Sequence, residues 1–223
     1  ILGLIVTPLI VRKLGVSQYG LYALIGAFVG YLSILDLGLN NAIIRFVSQY
    51  RAKGEKQEEE NFLAICLILY TIISLLIIAA GLFLYKNLDF LFDRTLSVEE
   101  MSQAKIMMSI LIINFAITIP GSAFVGICSG YERFVFPRLL TIIKYVVRTI
   151  LIISILYMGS NAIGIVIVDS ILNVIFILIT AWYVFKILKV RIKLYSFSFS
   201  YIRDIVNYSF FVFLYAFIYQ IQW

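Results

Sequence analysis

Long apolar runs separated by short polar links dominate the chain. The hydrocarbon core of a bilayer needs about 20 mostly apolar residues per spanning helix. On that measure the pattern predicts spanning segments near 1–11, 19–39, 61–85, 104–129, 137–158, 161–185 and 205–223. The first and last are partial, since the opening run at 1.5 Å per residue crosses only about half of the core. The expected fold is an all-α, polytopic integral membrane protein, with six segments and the start of a seventh. The chain begins without Met inside one apolar run and stops inside another. A truncated gene product is the expectation, and the first run lacks the basic flank and cleavage site of a signal peptide.

The links carry their own signals. Arg12 to Ser17 reads as a short turn, with Gly15 as a helix stop. Arg45 to Asn61 contains the mixed-charge run RAKGEKQEEEN, and Lys86 to Gln103 is acidic and polar. Within the latter, Ser97 followed by Glu99 and Glu100 predicts the cap and first turn of a short surface helix. Met158 to Asn161 is so short that the fifth and sixth segments must form an antiparallel hairpin. Lys186 to Asp204 is basic, then rich in Ser, Tyr and Phe.

Composition agrees with the pattern. Residues are 63% hydrophobic and 13% charged, with a mean hydropathy of +1.04. Soluble domains sit near half apolar and a quarter charged, so lipid is the solvent that suits this chain. The net charge of +6 follows from the excess of Lys and Arg in cytoplasmic loops; no basic run interleaved with exposed aromatics points to nucleic acid. Eleven Lys and Arg fall in the even-numbered links and five in the odd-numbered ones. The positive-inside rule then puts the start of the chain in the cytoplasm, in a multi-pass cell membrane protein. Histidine is absent, which excludes His-based catalysis and His metal sites. Cys66 and Cys128 lie in apolar stretches without ligand spacing and read as buried thiols. No cofactor or metal is implied, and no catalytic constellation is visible.

Polar residues inside spanning helices usually face protein or a wet cavity. In the fifth segment Arg138, Thr141, Lys144, Tyr145 and Arg148 share one helical face. Lys144 lies about 10 Å beyond Pro137 along the axis and Arg148 about 16 Å, near mid-bilayer. The sixth segment presents Asp169, Asn173 and Thr180, and the short hairpin puts Asp169 at the depth of Arg148. An Arg148–Asp169 ion pair is expected. The second segment carries Tyr22, Gly26, Gly30, Ser33, Asp36 and Asn40 along one side; the fourth carries Asn114, Thr118 and Ser122. Pro120 and Gly121 invite a kink or unwinding. Gly26–Gly30 and Gly126–Gly130 are GxxxG patterns, best read as helix packing. Serines and threonines commonly bond back to their own helix and are discounted. Asp36 fits an interface or the cavity, and Lys144 and Arg148 fit a hydrated cavity or a structural pairing. Four coherent polar faces point to a shared interior cavity, and so to a transporter.

The strings TPLIVRKLGVSQYGLY, LDLGLNNAIIRFVSQYRAKG and GICSGYERFVFPR resemble those of the polysaccharide biosynthesis proteins. These are the O-antigen flippase group of the multidrug/oligosaccharidyl-lipid/polysaccharide exporter superfamily, and the likeness runs over the whole chain. It implies a two-lobed transporter like the multidrug-extrusion proteins, with 1–204 as its N-terminal six-helix lobe and 205–223 as the start of helix seven. It also implies alternating-access transfer of undecaprenyl-diphosphate-linked oligosaccharide to the outer leaflet, with H+ or Na+ as coupling ion in some members. Lys144 and Arg148 are then the cavity cations, backed by Arg138, Asp169, Asn173, Tyr145, Asn114, Asp36 and Tyr22. Two relatives in the superfamily compete: a multidrug-extrusion antiporter, whose cationic drugs suit acidic cavities, and a flippase of the peptidoglycan lipid precursor. A membrane polymerase would be expected to show a long extracytoplasmic loop.

Overall fold

The computed structural model describes residues 2–30, 38–92, 96–197, 201–203, 205 and 208–209. Every regular element among them is helical: α1 (Leu2–Leu14), α2 (Val16–Gly30), α3 (Leu39–Lys53), α4 (Lys56–Lys86), α5 (Leu88–Phe92), α6 (Val98–Gly130), α7 (Val135–Tyr157) and α8 (Ala162–Trp182). A π-helical turn, Tyr183–Ile187, extends α8. Among the described residues four helices are long and apolar enough to cross a membrane: α4, α6, α7 and α8 with its extension. The protein is thus an all-α polytopic membrane protein, and the segments expected near 61–85, 104–129, 137–158 and 161–185 coincide with these four. The segment expected at 205–223 lies almost wholly outside the described residues.

Local sequence explains most boundaries. Gly15 ends α1 at φ +82°, a left-handed conformation that favours glycine, and its N–H bonds the carbonyl of Val11. Gly159 does the same work in the α7–α8 hairpin at φ +81°.

Three expectations need correction. Ser97 is indeed a cap: its backbone N–H donates to Glu100 at 2.9 Å and its hydroxyl accepts from the Glu100 N–H at 3.2 Å. It opens no separate surface helix, however, because α6 runs unbroken from Val98 to Gly130. Pro120 sits inside that helix without unwinding it. The polar link from Arg45 to Asn61 is itself mostly helical. Leu39, Ala42, Ile43 and Val47 recur at helical spacing and are buried, which gives α3 one apolar face.

The chain divides into two compact units. The first comprises Ile1–Ser33, Leu75–Thr118 and Leu139–Phe176. Its core gathers Leu21, Ile25, Leu88, Met107, Met108 and Ile112, with Ala162 and Val166 of α8. The second comprises Ile34–Ser74, Ile119–Arg138 and Ile177–Trp223. There α3 lies against α6: a Cβ on Gly130 would come within 2.8 Å of Val47, and one on Gly126 within 3.1 Å of Ile43. This GxxxG pair is a packing seam, as expected. Gly26, by contrast, has no described atom within 4 Å of such a Cβ. The start of α4 is tied down by three consecutive glutamates, each accepting a tyrosine hydroxyl: Glu58 from Tyr201, Glu59 from Tyr131 at 2.6 Å, and Glu60 from Tyr195 at 2.8 Å. Burial, reinforced by the Glu59 bond, holds the Tyr131 phenol well above its ordinary pKa. Cys66 and Cys128 are buried and free.

Candidate functional site

The polar face of α7 meets that of α8 entirely within the first unit. The two helices run antiparallel through the Gly159 hairpin. A step of four residues along α7 therefore matches a step of four back along α8, and polar residues so spaced form two rungs.

One rung is the expected ion pair. Arg148 Nε lies 2.6 Å from Asp169 Oδ1 and Nη2 lies 2.8 Å from Oδ2. The fork is bidentate, the strongest geometry a carboxylate and guanidinium can adopt. Tyr22 of α2 stands over it, its Oη 3.4 Å from both Arg148 Nη2 and Asp169 Oδ2. The two charged side chains keep 27% and 23% of their exposure, so the pair is sheltered without being sealed.

The other rung is neutral on one side. Lys144 Nζ donates to Asn173 Oδ1 at 2.7 Å. That bond fixes the amide, whose Nδ2 donates to Asn114 Oδ1 at 2.9 Å and Thr118 Oγ1 at 2.5 Å. Thr118 in turn donates to the Asn114 carbonyl at 2.7 Å. The threonine discounted as a mere back-bonder thus does both jobs, and spacing alone gave no sign of it. Pairing partners across helices depend on tilt and rotation, which the sequence does not state.

The charges decide what this cluster can bind. It holds two cations, Lys144 and Arg148, and one carboxylate, Asp169. Asp169 is fully engaged by Arg148, and the partner of Lys144 is an uncharged amide. Among the described residues one positive charge is therefore in excess, and it sits on the Lys144 ammonium, backed by amides. Such a site favours an anion, because a neutral dipole is exchanged more cheaply than a counter-ion in a low-dielectric setting.

Other expected site residues fall elsewhere. Tyr145 is 55% exposed and outside the network. Arg138 is exposed and belongs to the second unit. Asp36 lies outside the described residues. The structure brings together Tyr22, Asn114, Lys144, Arg148, Asp169 and Asn173.

Comparison with known proteins adds family evidence. Residues 1–223 match the family described as "Polysaccharide biosynthesis protein". Over 106 residues the chain is 29% identical to "Uncharacterized membrane protein EpsK" of Bacillus subtilis (strain 168). That match covers 48% of this chain and 20% of the relative. No solved structure matches the chain.

Proposed function

Because the chain belongs to the polysaccharide biosynthesis protein family, we propose that it carries one wall of a path moving lipid-linked oligosaccharide across the cell membrane. The cargo is an undecaprenyl-diphosphate-linked unit of a surface polysaccharide, passed from inner to outer leaflet by alternating access. In this reading 1–204 is a six-helix lobe with a cytoplasmic start, and a second lobe supplies the facing wall. The protein does no covalent chemistry, and a proton or sodium gradient can drive the cycle.

The excess charge on Lys144 carries the proposal. A diphosphate is unaffordable in hydrocarbon unless cations offset it. Lys144 offers that offset about two and a half turns inside α7, and exchanging its Asn173 bond for a phosphate oxygen breaks no ion pair. Arg148 holds the neighbouring rung in register. Asn114, Asn173 and Tyr22 give a sugar the hydrogen-bonding surface it needs. The same arithmetic disfavours a cationic drug, since Asp169 has no charge to spare.

The test is genetic and chemical. Deleting the full-length gene should abolish the surface polysaccharide and leave its lipid-linked precursor on the cytoplasmic side. Lys144→Gln and Arg148→Ala proteins, inserted at normal levels, should fail to restore it. Unchanged surface glycan with reduced dye efflux would reject this reading in favour of drug extrusion.

A further inference from the structure

The end of α8 is unusual. Its helical hydrogen bonding loosens into the π turn Tyr183–Ile187, Lys189 adopts φ +54°, and the chain continues without regular structure through Phe197, as a strap. Four cations, Lys186, Lys189, Arg191 and Lys193, fall within eight residues, and all are exposed. None of them joins an ion pair among the described residues, where the pairs are Lys105–Asp89 and Arg148–Asp169.

Hydrogen bonds tie the strap to the start of α4. Asn61 Oδ1 accepts the backbone N–H groups of Tyr195 and Ser196 at 2.9 and 3.1 Å. The Tyr195 hydroxyl donates to Glu60, and the Lys193 N–H reaches the Glu60 carbonyl at 3.4 Å. Val190 is buried and Ile192 partly so, while Arg191 and Lys193 are exposed. Beside them opens a cavity of about 560 Å³, walled by Leu67, Phe185, Val190 and Ile192 and bordered by Arg191 and Lys193. Glu60 also borders it, but its carboxylate is buried and engaged by Tyr195. At the cavity rim two cations, Arg191 and Lys193, therefore outnumber one engaged carboxylate.

We propose that this strap and cavity bind an anionic phospholipid, its phosphate on Arg191 and Lys193 and its upper acyl chain against the apolar wall. The strap leaves a membrane-spanning helix directly, so chain connectivity sets it at the headgroup level. Cations there attract anionic headgroups, each Lys or Arg strengthening binding roughly fivefold. Four apolar side chains beside two cations match an amphiphile better than they match a free anion. Pinning by Asn61 and Glu60 removes ordering cost that a loose basic loop would bear on binding. The bound lipid would fix the strap at one depth in the membrane. The inference stands whatever cargo the protein carries.

The full-length protein in neutral detergent provides the test, with phosphatidylglycerol and phosphatidylcholine of equal chain length as probes. Native mass spectrometry should show retained phosphatidylglycerol, and thermal unfolding should shift upward with it alone. The double variant Arg191→Gln/Lys193→Gln should bind it about 30-fold more weakly, while Lys53→Gln should leave binding unchanged. Should the double variant not fold, titrating the wild type with salt serves instead, and affinity must fall as screening rises. Equal retention of the two lipids, or binding indifferent to both the substitutions and salt, overturns the proposal. So does displacement of phosphatidylglycerol by inorganic phosphate or by a polyprenyl diphosphate at lower concentration, which would make this a free-anion or cargo site.

Discussion

At the scale of single residues, the two rungs between α7 and α8 look alike in sequence and differ in charge, and the difference predicts different losses. Asp169→Asn leaves Arg148 sheltered without its counter-charge. Breaking a fully buried pair typically costs 3–5 kcal/mol, and because this one retains about a quarter of its exposure a loss of about 1–3 kcal/mol is expected. Joint replacement, Arg148→Leu with Asp169→Leu, should recover most of that stability. Lys144→Gln keeps a donor for Asn173 and should unfold within about 1 kcal/mol of the wild type, yet it removes the excess charge and should abolish export. Unfolding in detergent and surface-glycan assays on the same variants check both halves; a Lys144→Gln protein that exports normally would take the anion role away from Lys144. The ion pair was legible beforehand because a four-residue hairpin locks the relative depth of its two helices, leaving only helix rotation unknown. The Lys144–Asn173–Asn114–Thr118 chain was not legible as a network. Its members stood on the expected faces, and the link 131–134 between α6 and α7 is as short as the α7–α8 hairpin, but three helices must be rotated together for Asn114, Thr118, Lys144 and Asn173 to meet, and no spacing states those rotations.

At the scale of elements, hydropathy finds the apolar part of a helix and misses where the helix continues into water. For α6 the capping signal at Ser97 was visible, and so was the apolar run further on. What the pattern lacked was any reason for the helix to stop between them, and it does not stop. Lys105 pairs with Asp89 at 2.7 Å and so stays on the polar stretch of a continuous helix. The missed helix α3 taught the converse lesson. Its apolar positions Leu39, Ala42, Ile43 and Val47 are periodic but sparse, and mean hydropathy dilutes them among Asn, Arg and Gln. The signal was there in the spacing. Its packing against α6 yields a prediction that discriminates between two similar motifs. Gly130→Val drives a branched side chain into Val47, where even a Cβ comes within 2.8 Å; overpacking of this kind costs about 1–3 kcal/mol. Gly26→Ala meets no described atom within 4 Å and gains helix propensity, so it should be neutral or stabilising by about 0.5–1 kcal/mol. Melting of the two variants in one detergent compares them directly, and equal losses would contradict the assignment of the seam to the second motif.

At the scale of the whole molecule, the distribution of charge over the links carries information that helix packing does not. The even-numbered links hold the Lys and Arg of α3, the turn after Gly130 and the strap after α8; the odd-numbered links hold few. Translocating those basic links would oppose the rule that orients most membrane proteins, so residue 55 should lie in the cytoplasm and residue 158 outside. If the proposed export holds, this orientation would set the basic strap on the loading side and the acidic first turn of α6, Glu99–Glu100, on the release side. The native thiols help the measurement, since Cys66 and Cys128 are both buried and give little background. Glu55→Cys and Met158→Cys add exposed thiols at polar turns. In intact cells an impermeant maleimide should label the thiol at 158 at once and reach the one at 55 only after permeabilisation. The opposite pattern would invert the protein, set the strap on the outer leaflet, and leave Lys144 approached from the wrong side for outward transport. Equal labelling from both sides would mean that the links do not sort by charge at all, and the orientation argument would fall with them.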